Sequence, residues 1–483
     1  MICAVIRTAS NDEALASMNE AKRLGADLCE LRADYLKEPD LAKILAAKPL
    51  PVLVTVRPKW EGGQYEGDES VRLGMLEDAC LHGADYVDVE FRAYKDFNRR
   101  QAKLIVSYHD FEKTPEDLEA TAKKMATLDP FLVKVACLPK GTADLVRLVT
   151  LQKSFPSPIA VIAMGEFGEP LRVLYHRYGG WLTFVSLKAG LESAPGQVTV
   201  EEMVRLYQGK TIDDATEVYG VIGNPVAHSK SPVVFNDVFK HLGMNARYVK
   251  IKVDDPSRLR ELVAAMELRG LSVTIPHKQA VLASVDEADE IARGIGAANT
   301  VTVHEGRLSA SNTDILAAME AVKDAAVKKW SHGIYGMRAL VLGAGGVSRA
   351  IAWGLKREAA RVVIANRTFE RGKALAEELG VDFIRWESLI DARAQIVVNG
   401  TSVGMTPMTE ESPVELSFFK KDMVAMDTVY TPRNTKFLRD ARSAAATTID
   451  GVEMFLRQAN HQFKLWKGRP IPTEILKEFT QKL

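Results

Sequence analysis

The sequence predicts an α/β protein in which a (β/α)8 barrel precedes a second α/β region with a dinucleotide-binding unit. Three observations support this fold class. In the first 210 or so residues, eight apolar, β-branched runs alternate with segments of helical periodicity. A short polar connector, residues 208–217, then separates this half from a second series of strand-like runs. Finally, residues 338–355 read as a strand, a glycine-rich turn and a helix.

Eight strand-helix units in little more than 200 residues fit the lower size range of a closed barrel. The eight predicted strands are residues 2–6, 26–32, 51–56, 84–90, 102–109, 131–136, 159–164 and 182–187. Active sites of such barrels lie at the carboxyl ends of the strands. Polar residues gather at these ends, which indicates one site there.

Composition restricts the functional classes. The chain has 483 residues, 47% hydrophobic and 26% charged, which is normal for a globular protein of two or more domains. Lys+Arg and Asp+Glu number 63 each, so no overall field favours nucleic acid or acidic membranes. The partners we expect are therefore small molecules, with anions held by local cations, and the oligomeric state stays open.

Cysteine usage and the beginning of the sequence bear on location. The four cysteines form no C-x-x-C pair, which favours buried, reduced thiols over disulfides or zinc. No stretch is long and apolar enough to span a membrane. The first ten residues enter strand-like sequence without a signal-peptide pattern. We therefore expect a cytoplasmic protein with no metal.

Lys134 lies inside an otherwise apolar strand, FLVKVA (131–136). In a dry pocket near Arg32 and Arg57, a lysine is expected to have a lowered pKa and to act as a nucleophile that forms a Schiff base with a ketone. The alternative is a lysine whose stem packs while its ammonium reaches water. Parallel barrel strands are buried on both faces, so that alternative fits less well.

His109 ends the fifth predicted strand, and Glu61 lies in the loop after the third. His109 suits a general acid and base because its pKa lies near working pH, and Glu61 could orient its imidazole. A structural, hydrogen-bonded histidine is the alternative. Arg57 and Arg172 suit bidentate binding of a substrate carboxylate, or else form surface ion pairs.

Six short motifs in this half resemble type I 3-dehydroquinate dehydratase. They are ELRAD (30–34), TVRPKWEGG (55–63), SYHDF (107–111), KVA (134–136), AMGEFGEPLR (163–172) and ESAPGQ (192–197). The resemblance covers nearly all of residues 1–205 and implies Lys134 as the Schiff-base lysine, His109 as acid and base, and Glu61 as its partner. It places around the substrate Glu30, Arg32, Arg57, Arg172, Ser193 and Gln197. One departure is Leu171, where relatives often have serine.

The glycine-rich turn GAGGVS (343–348) matches G-x-G-x-x-G only partly, because Ser348 stands at the third glycine position. Its predicted cofactor contacts are Gly343, Ala344, Gly345, Gly346 and Val347. About twenty residues on, where an NAD enzyme has an acidic residue, the chain has ANRTFER, which includes Asn366, Arg367, Thr368 and Arg371. The two arginines suit the 2′-phosphate of NADP; solvated charges at a helix start are the alternative.

Two further segments of the second half carry chemistry. NPVAHSKSP (224–232) follows a strand and enters a helix, so Ser229, Ser231 and free backbone N–H groups could hold a carboxylate, or Ser231 could serve only as a cap. Lys278 follows another strand, and Asp314 begins a helical segment. Such a pair can polarise a ketone and deliver a proton during hydride transfer; the alternative is a surface salt bridge.

These segments, together with GAANT (296–300), NGTSVGM (399–405), DTVYTP (427–432) and GVEMFLRQ (451–458), resemble shikimate dehydrogenase over about residues 218–470. The resemblance implies Lys278 and Asp314 as the catalytic pair and Gly451 near the nicotinamide. It implies as shikimate contacts Ser229, Ser231, Thr274, Asn299, Tyr430 and Gln458. The family usually has glycine after its NTD triplet, whereas this chain has Ile315.

The two resemblances together imply a bifunctional enzyme, in the fused order of the plant-type protein, that dehydrates 3-dehydroquinate and then reduces 3-dehydroshikimate with NADPH. The implied domains are a barrel (1–210), a substrate-binding domain (218–335, completed by 452–483) and a Rossmann NADP domain (336–451). Two alternatives remain. One is a quinate or shikimate dehydrogenase that uses NAD, and the other is a non-catalytic sensor of the same intermediates.

Overall fold

The computed structural model describes residues 1–95, 98–194 and 196–482. It separates into two compact units, residues 1–268 and 269–483. The first unit contains the eight-stranded sheet and the first strands and helices of the second half. The predicted domain boundaries therefore stay a prediction, because this division by compactness does not follow them.

The first part of unit 1 alternates strands and helices. Its strands are β1 (Ile2–Ile6), β2 (Leu28–Arg32), β3 (Val52–Thr55), β4 (Tyr86–Glu90), β5 (Lys103–Asp110), β6 (Leu132–Cys137), β7 (Ile159–Ala163) and β8 (Thr183–Ser186). Its α-helices are α1 (Asn11–Leu24), α2 (Leu41–Ala46), α3 (Glu69–Leu81), α4 (Leu118–Ala126), α5 (Thr142–Ser154) and α6 (Gly165–Val173). All eight predicted strands are present, and their ends agree with the predicted bounds to within two residues.

The eight strands are parallel and follow one another around a nearly closed barrel, in the order β8, β1, β2 and onward to β7. Next to β8, Trp181 donates its backbone N–H to the carbonyl of Ile159 at the start of β7, at 3.1 Å, which brings the two edge strands together. Seven of the eight strands are buried along their whole length, as expected for parallel strands with helices outside. Each fully buried Val, Leu or Ile contributes roughly 1.5–3 kcal/mol to stability.

The connection between β4 and β5 differs from a regular (β/α)8 pattern. In the described part of that connection the structure has a short 3-10 turn, Phe91–Ala93, and no α-helix. Only twelve residues separate Glu90 from Lys103, which leaves little chain for a helix that must also return to the other end of the sheet.

Unit 1 ends with a βαβα segment: β9 (Glu217–Gly223), α7 (Ser231–His241), β10 (Ala246–Lys252) and α8 (Leu259–Met266). Strands β9 and β10 are parallel, and Lys250 is in register with Val221. Strand β10 packs against α6 of the barrel, and α8 packs against α5. This segment therefore packs against the outer helices of the barrel within unit 1.

Unit 2 contains two groups of strands. The first comprises β11 (Leu268–Val273), β12 (Glu287–Ala288), α9 (Glu290–Ile295), β13 (Thr300–His304), β14 (Arg307–Ser311) and α10 (Thr313–Trp330). The second comprises β15 (Arg338–Leu342), α11 (Gly346–Arg357), β16 (Arg361–Ala365), α12 (Phe369–Leu379), β17 (Asp382–Phe383), β18 (Ile396–Asn399), β19 (Val424–Asp427), α13 (Lys436–Ser443) and β20 (Thr447–Ile449). Two helices end the chain, α14 (Gly451–Lys467) and α15 (Thr473–Lys482).

The second group of strands forms a doubly wound parallel sheet in the order β17, β16, β15, β18, β19, β20. Hydrophobic clusters cover both of its faces, one of them including helices α10 and α11. In such sheets ligands bind beyond the carboxyl ends of the strands where the strand order reverses, here between β15 and β18. The strand-turn-helix predicted at residues 338–355 lies at this point.

The four cysteines are free and buried, and burial raises the pKa of the Cys29 and Cys137 thiols to about 12. Over residues 1–95, 98–194 and 196–482, none of the helices combines the length and the apolar character that a bilayer span requires.

Candidate active sites

Lys134 lies within β6 with its side chain inside the barrel, only 4% exposed. Its Nζ donates to Oδ2 of Asp88 at 2.9 Å and lies 3.6 Å from Oε1 of Glu30. The same nitrogen lies 4.2 Å from the centre of the Phe184 ring. Since the ammonium is paired inside the barrel, the structure does not support a lysine that reaches out to water.

The charge network around Lys134 includes two carboxylates that sequence reasoning missed, Asp88 and Glu90 on β4. Arg57 lies 3.0 Å from Asp88 and donates to Glu90 at 2.5 Å. Ser107 donates to Asp88 at 2.5 Å. Burial opposes ionisation of Asp88, but Arg57 and Lys134 outweigh burial and lower its pKa. The sequence contained a signal for these two carboxylates, because Asp88 and Glu90 alternate in a strand predicted to be buried on both faces.

His109 and Glu61 contact each other as predicted. The Nδ1 atom of His109 lies 3.0 Å from Oε1 of Glu61, and its backbone N–H donates to the same oxygen at 2.9 Å. A short 3-10 turn, Lys59–Glu61, places the carboxylate beside the end of β5. Burial raises the pKa of Glu61 to about 7 in spite of Arg57, and burial together with Arg57 and Lys134 lowers the pKa of His109 well below its usual value. The imidazole is therefore neutral at neutral pH.

Two arginines of the site have different partners. Arg32 forms a bidentate pair with Asp34, at 2.9 and 2.8 Å. Arg172 on α6 donates from Nε to the carbonyl of Ala163 at 2.7 Å. Its Nη2 is buried with no hydrogen-bond partner among the described residues, and burial lowers its pKa to about 10. Arg172 is therefore a buried cation with a donor available to an anion.

Ser193 and Gln197, after β8, contact each other: Ser193 donates from its backbone N–H and its hydroxyl to Oε1 of Gln197, at 2.8 and 3.1 Å. Pro195 of their motif lies outside the described residues. The structure brings together every residue predicted for this site around one cavity. These residues are Glu30, Arg32, Arg57, Glu61, His109, Lys134, Arg172, Ser193 and Gln197.

In unit 2, the predicted pair of Lys278 and Asp314 also forms. The Nζ of Lys278 donates to Oδ2 of Asp314 at 2.6 Å, and the side-chain amide of Asn299 donates to Oδ1 at 2.8 Å. Asp314 stands in the first turn of α10, which Asn312 caps by accepting from the N–H of Ile315. Ile315 continues the helix without strain, and its side chain packs at Gly354 of α11.

Asn299 is itself held by residues that sequence reasoning missed. Its Oδ1 accepts the N–H of Thr313 at 2.7 Å, and its carbonyl accepts Nε2 of Gln462 at 3.0 Å. Gln462 lies on α14 one turn after the predicted shikimate contact Gln458. The sequence signal for Gln462 was its spacing, because residues four apart on a helix, here Gln458 and Gln462, lie on the same face.

The other residues predicted to contact shikimate occupy separate elements. Thr274 follows β11, and Tyr430, half-buried after β19, stacks on Phe455 at 5.2 Å. Ser229 and Ser231 lie in unit 1, between β9 and the first turn of α7, where Oγ of Ser229 accepts the N–H of Ser231 at 3.3 Å. The roles of these residues stay predictions.

The glycine-rich turn has the geometry of a dinucleotide cradle. Gly343 has a φ of 103°, which favours glycine, and a Cβ there would lie 3.1 Å from the carbonyl of Gly400. Gly345 is the N-cap of α11, and a Cβ on Gly346 would lie 3.2 Å from Cδ of Lys278. Ser348, at the third glycine position, is buried and donates to the carbonyl of Gly400 at 3.1 Å. The turn therefore tolerates serine there.

The residues predicted to select the cofactor follow β16. Asn366 donates to the carbonyl of Thr368 at 2.8 Å, which shapes the turn before α12. Arg367, Thr368 and Arg371 lie at the surface. Gly451, the first residue of α14, approaches the backbone closely, since a Cβ there would lie 2.2 Å from the carbonyl of Val429. These residues fit NADP, because the turn is open to a pyrophosphate and two arginines are accessible to a 2′-phosphate.

The fold and the sites point to a class: a barrel with a buried lysine in its cavity, joined to a nicotinamide-dependent dehydrogenase. Residues 2–214 match type I 3-dehydroquinase, residues 221–301 match the shikimate dehydrogenase substrate binding domain, and residues 324–454 match shikimate / quinate 5-dehydrogenase.

Individual relatives agree with these matches. The chloroplastic bifunctional 3-dehydroquinate dehydratase/shikimate dehydrogenase of Arabidopsis thaliana is 39% identical over 98% of this chain and 83% of its own length. The shikimate dehydrogenase (NADP(+)) of Syntrophobacter fumaroxidans is 43% identical over 53% of this chain and 89% of its own. A crystal structure of a shikimate dehydrogenase in complex with NADP+ has a TM-score of 0.52 and 33% identity, covering 56% of this chain and 96% of that one.

The chain belongs to the family of bifunctional 3-dehydroquinate dehydratase/shikimate dehydrogenases. The predicted family and fold class are confirmed.

Proposed function

We propose that residues lining the barrel cavity dehydrate 3-dehydroquinate to 3-dehydroshikimate, and that unit 2 supplies the proton-transfer pair and the NADP cradle for its reduction to shikimate. The observation that supports this proposal best is the convergence of Lys134, the His109–Glu61 pair and the unpaired Nη2 of Arg172 on one cavity. A nucleophile, an acid-base group and an anion-binding group are the parts that this dehydration needs.

In the barrel, the Lys134 ammonium gives one proton to the neutral imidazole of His109, and the amine then attacks the ring ketone. His109 returns the proton to the former ketone oxygen, which leaves as water and gives an iminium. The iminium acidifies the adjacent C–H, from which His109 removes a proton. His109 then returns that proton to the departing β-hydroxyl, which leaves as a second water. Hydrolysis of the imine consumes one water, releases 3-dehydroshikimate and frees Lys134, so the net change is the loss of one water.

The surrounding groups orient this chemistry. Glu61 accepts a hydrogen bond from Nδ1–H of His109, which leaves Nε2 as the base. Asp88 and Glu30 position the Lys134 amine between them. Arg172 binds the substrate carboxylate, because Arg57 is already paired with Asp88 and Glu90.

In unit 2, Lys278 polarises the ketone of 3-dehydroshikimate and donates the proton that its oxygen needs, while Asp314 orients the ammonium. NADPH supplies the hydride when bound. The contact of Lys278 with the glycine-rich turn at Gly346 supports this assignment, because it places the proton donor beside the cofactor cradle. Ser229 and Ser231 are proposed to hold the carboxylate, and Arg367 and Arg371 the 2′-phosphate.

The experiment that tests this function supplies 3-dehydroquinate with either NADPH or NADH and follows enone formation and cofactor oxidation together. We expect dehydration in both cases and efficient oxidation only of NADPH. Preferred oxidation of NADH, or a higher rate of NAD reduction with quinate than with shikimate, would favour the quinate alternative. The absence of both reactions would favour the sensor. The cytoplasmic location stays a prediction.

A further inference from the structure

Lys250, on β10, contacts elements that belong to both proposed reactions. Its Nζ lies 3.2 Å from Oε1 of Glu169 on α6 and 3.4 Å from the carbonyl of Ala227 in the loop that follows β9. All three residues lie within unit 1. The side chains of Lys250 and Glu169 are 21% and 14% exposed, so this ion pair is shielded from most of the solvent.

The first of these elements carries the anion-binding arginine of the barrel. Glu169 precedes Arg172 by three residues on α6, which is nearly one helical turn. Besides Lys250, the carboxylate of Glu169 accepts the hydroxyl of Tyr207 at 3.2 Å. Arg172 itself is anchored to the protein only through Nε in the described structure. Its position therefore depends on how firmly α6 is held.

The second element carries the serines proposed to bind the carboxylate of shikimate. Ala227 precedes Ser229 by two residues, and the N–H of Ser229 donates to the carbonyl of Val226 at 3.1 Å. Oγ of Ser229 in turn accepts the N–H of Ser231. A donor on the Ala227 carbonyl thus fixes the turn in which both hydroxyls stand.

We propose that Lys250 is a positioning residue for both activities, because one ammonium holds the helix of Arg172 and the loop of Ser229. This proposal rests on the proposed carboxylate-binding roles of those two residues. Lys250 is proposed to touch neither substrate, so it acts on substrate binding through Arg172 and Ser229 and leaves the covalent and hydride steps unchanged.

A neighbouring lysine provides a matched control. Lys252 is on the same face of the same strand and donates to Glu166 of the same helix at 2.7 Å. It joins β10 to α6 as Lys250 does, but no contact links it to the loop of Ser229 among the described residues. Replacing Lys252 removes a more exposed ion pair between the same strand and helix, with Glu166 49% exposed, and leaves the contacts of Lys250 in place.

The test measures KM and kcat for each reaction separately in the full chain. Lys250→Met should raise KM for 3-dehydroquinate and for shikimate by about 3- to 10-fold each, with kcat changed less than about twofold. Lys250→Arg should restore most of both values. Lys252→Met should leave KM for shikimate unchanged and raise KM for 3-dehydroquinate less than Lys250→Met does.

A second variant separates the two contacts of Lys250, one with Glu169 and one with the carbonyl of Ala227. Glu169→Gln removes the charge that holds α6 but leaves the contact of Lys250 with Ala227, so it should raise KM for 3-dehydroquinate alone. Thermal unfolding of each variant shows whether it is folded. If Lys250→Met does not fold, Glu169→Gln decides the proposal, because an unchanged KM for 3-dehydroquinate in that variant would overturn it.

Unchanged KM values in Lys250→Met would overturn the proposal, as would a fall in kcat alone or equal effects of the two lysine variants on both reactions. Failure of the proposed function is distinguishable, because it would appear as the absence of an activity in the unmodified protein.

Discussion

The two lysines proposed to act in this chain differ in what surrounds them. Lys134 lies within a buried strand, flanked by Asp88 and Glu30, and its acid-base partner is a separate group, His109. Lys278 lies in a turn after β11, has a more exposed side chain and pairs with Asp314. A lysine that must form and break a covalent bond needs a separate proton carrier. A lysine that only delivers a proton needs a single carboxylate and closeness to the cofactor cradle.

The largest expected effect tests the covalent role. Lys134→Ala should lower the dehydration rate by about 10⁴-fold or more, since it removes a covalent nucleophile. It should leave NADPH oxidation with 3-dehydroshikimate intact. Borohydride added with 3-dehydroquinate should attach ligand mass at Lys134, located by peptide mass spectrometry. An unmodified Lys134 would refute the Schiff base, and loss of both activities in the variant would indicate a structural role instead.

Substitutions in the pair of Lys278 and Asp314 should give the second-largest effect. Lys278→Met and Asp314→Asn should each slow the turnover of bound 3-dehydroshikimate to shikimate by about 10³-fold, the range of a general acid, while dehydration continues. Because Nζ and Oδ2 are 2.6 Å apart and act as one unit, the double variant should cost about as much as Lys278→Met alone. Additive losses would show that the two residues act independently.

Sequence reasoning named residues that the structure brings together, such as Lys134 and His109, but missed Asp88 and Gln462, which contact predicted site residues. His109 could be located because it ends a predicted barrel strand, and Lys134 because it is the charged residue of an otherwise apolar strand. The position of Asp88 in a predicted buried strand was a signal for a buried charge, but a strand pattern does not say which charges meet inside the barrel. The spacing of Gln462 from Gln458 likewise assigns it to a helix face but does not identify its partner Asn299, which is 163 residues away.

The backbone also had features that the sequence predicts and features that only the structure explains. The strands of the barrel were predictable from apolar, β-branched runs. The connection between β4 and β5, with no α-helix in its described part, was predictable only from its length, because the strand pattern on either side is regular. Ser348 at the third glycine position needed the structure, because only the contact with Gly400 shows why a side chain fits there.

The proton carrier of the barrel can be tested through pH. The pKa of Glu61 is raised to about 7, so Glu61 is protonated below that pH and ionised above it. The ionised form accepts the hydrogen bond from Nδ1–H of His109 more strongly than the neutral acid does, so kcat/KM for dehydration should rise as pH increases through 7. Glu61→Gln should lower kcat by about 10²-fold and remove this rise, because an amide does not titrate. A rise that survives in the variant would assign the titration to another group.

The smallest effect concerns cofactor choice. Arg367→Ala should weaken NADPH binding by about tenfold, because a hydrogen bond to a charged group contributes roughly 1.5–3 kcal/mol, and NADH binding should hardly change. Arg361 offers a matched control, since it is an exposed arginine at the opposite end of β16. Arg361→Ala should alter neither affinity when both are measured by fluorescence titration. Equal losses of affinity for NADPH and NADH in Arg367→Ala would refute the contact between Arg367 and the 2′-phosphate.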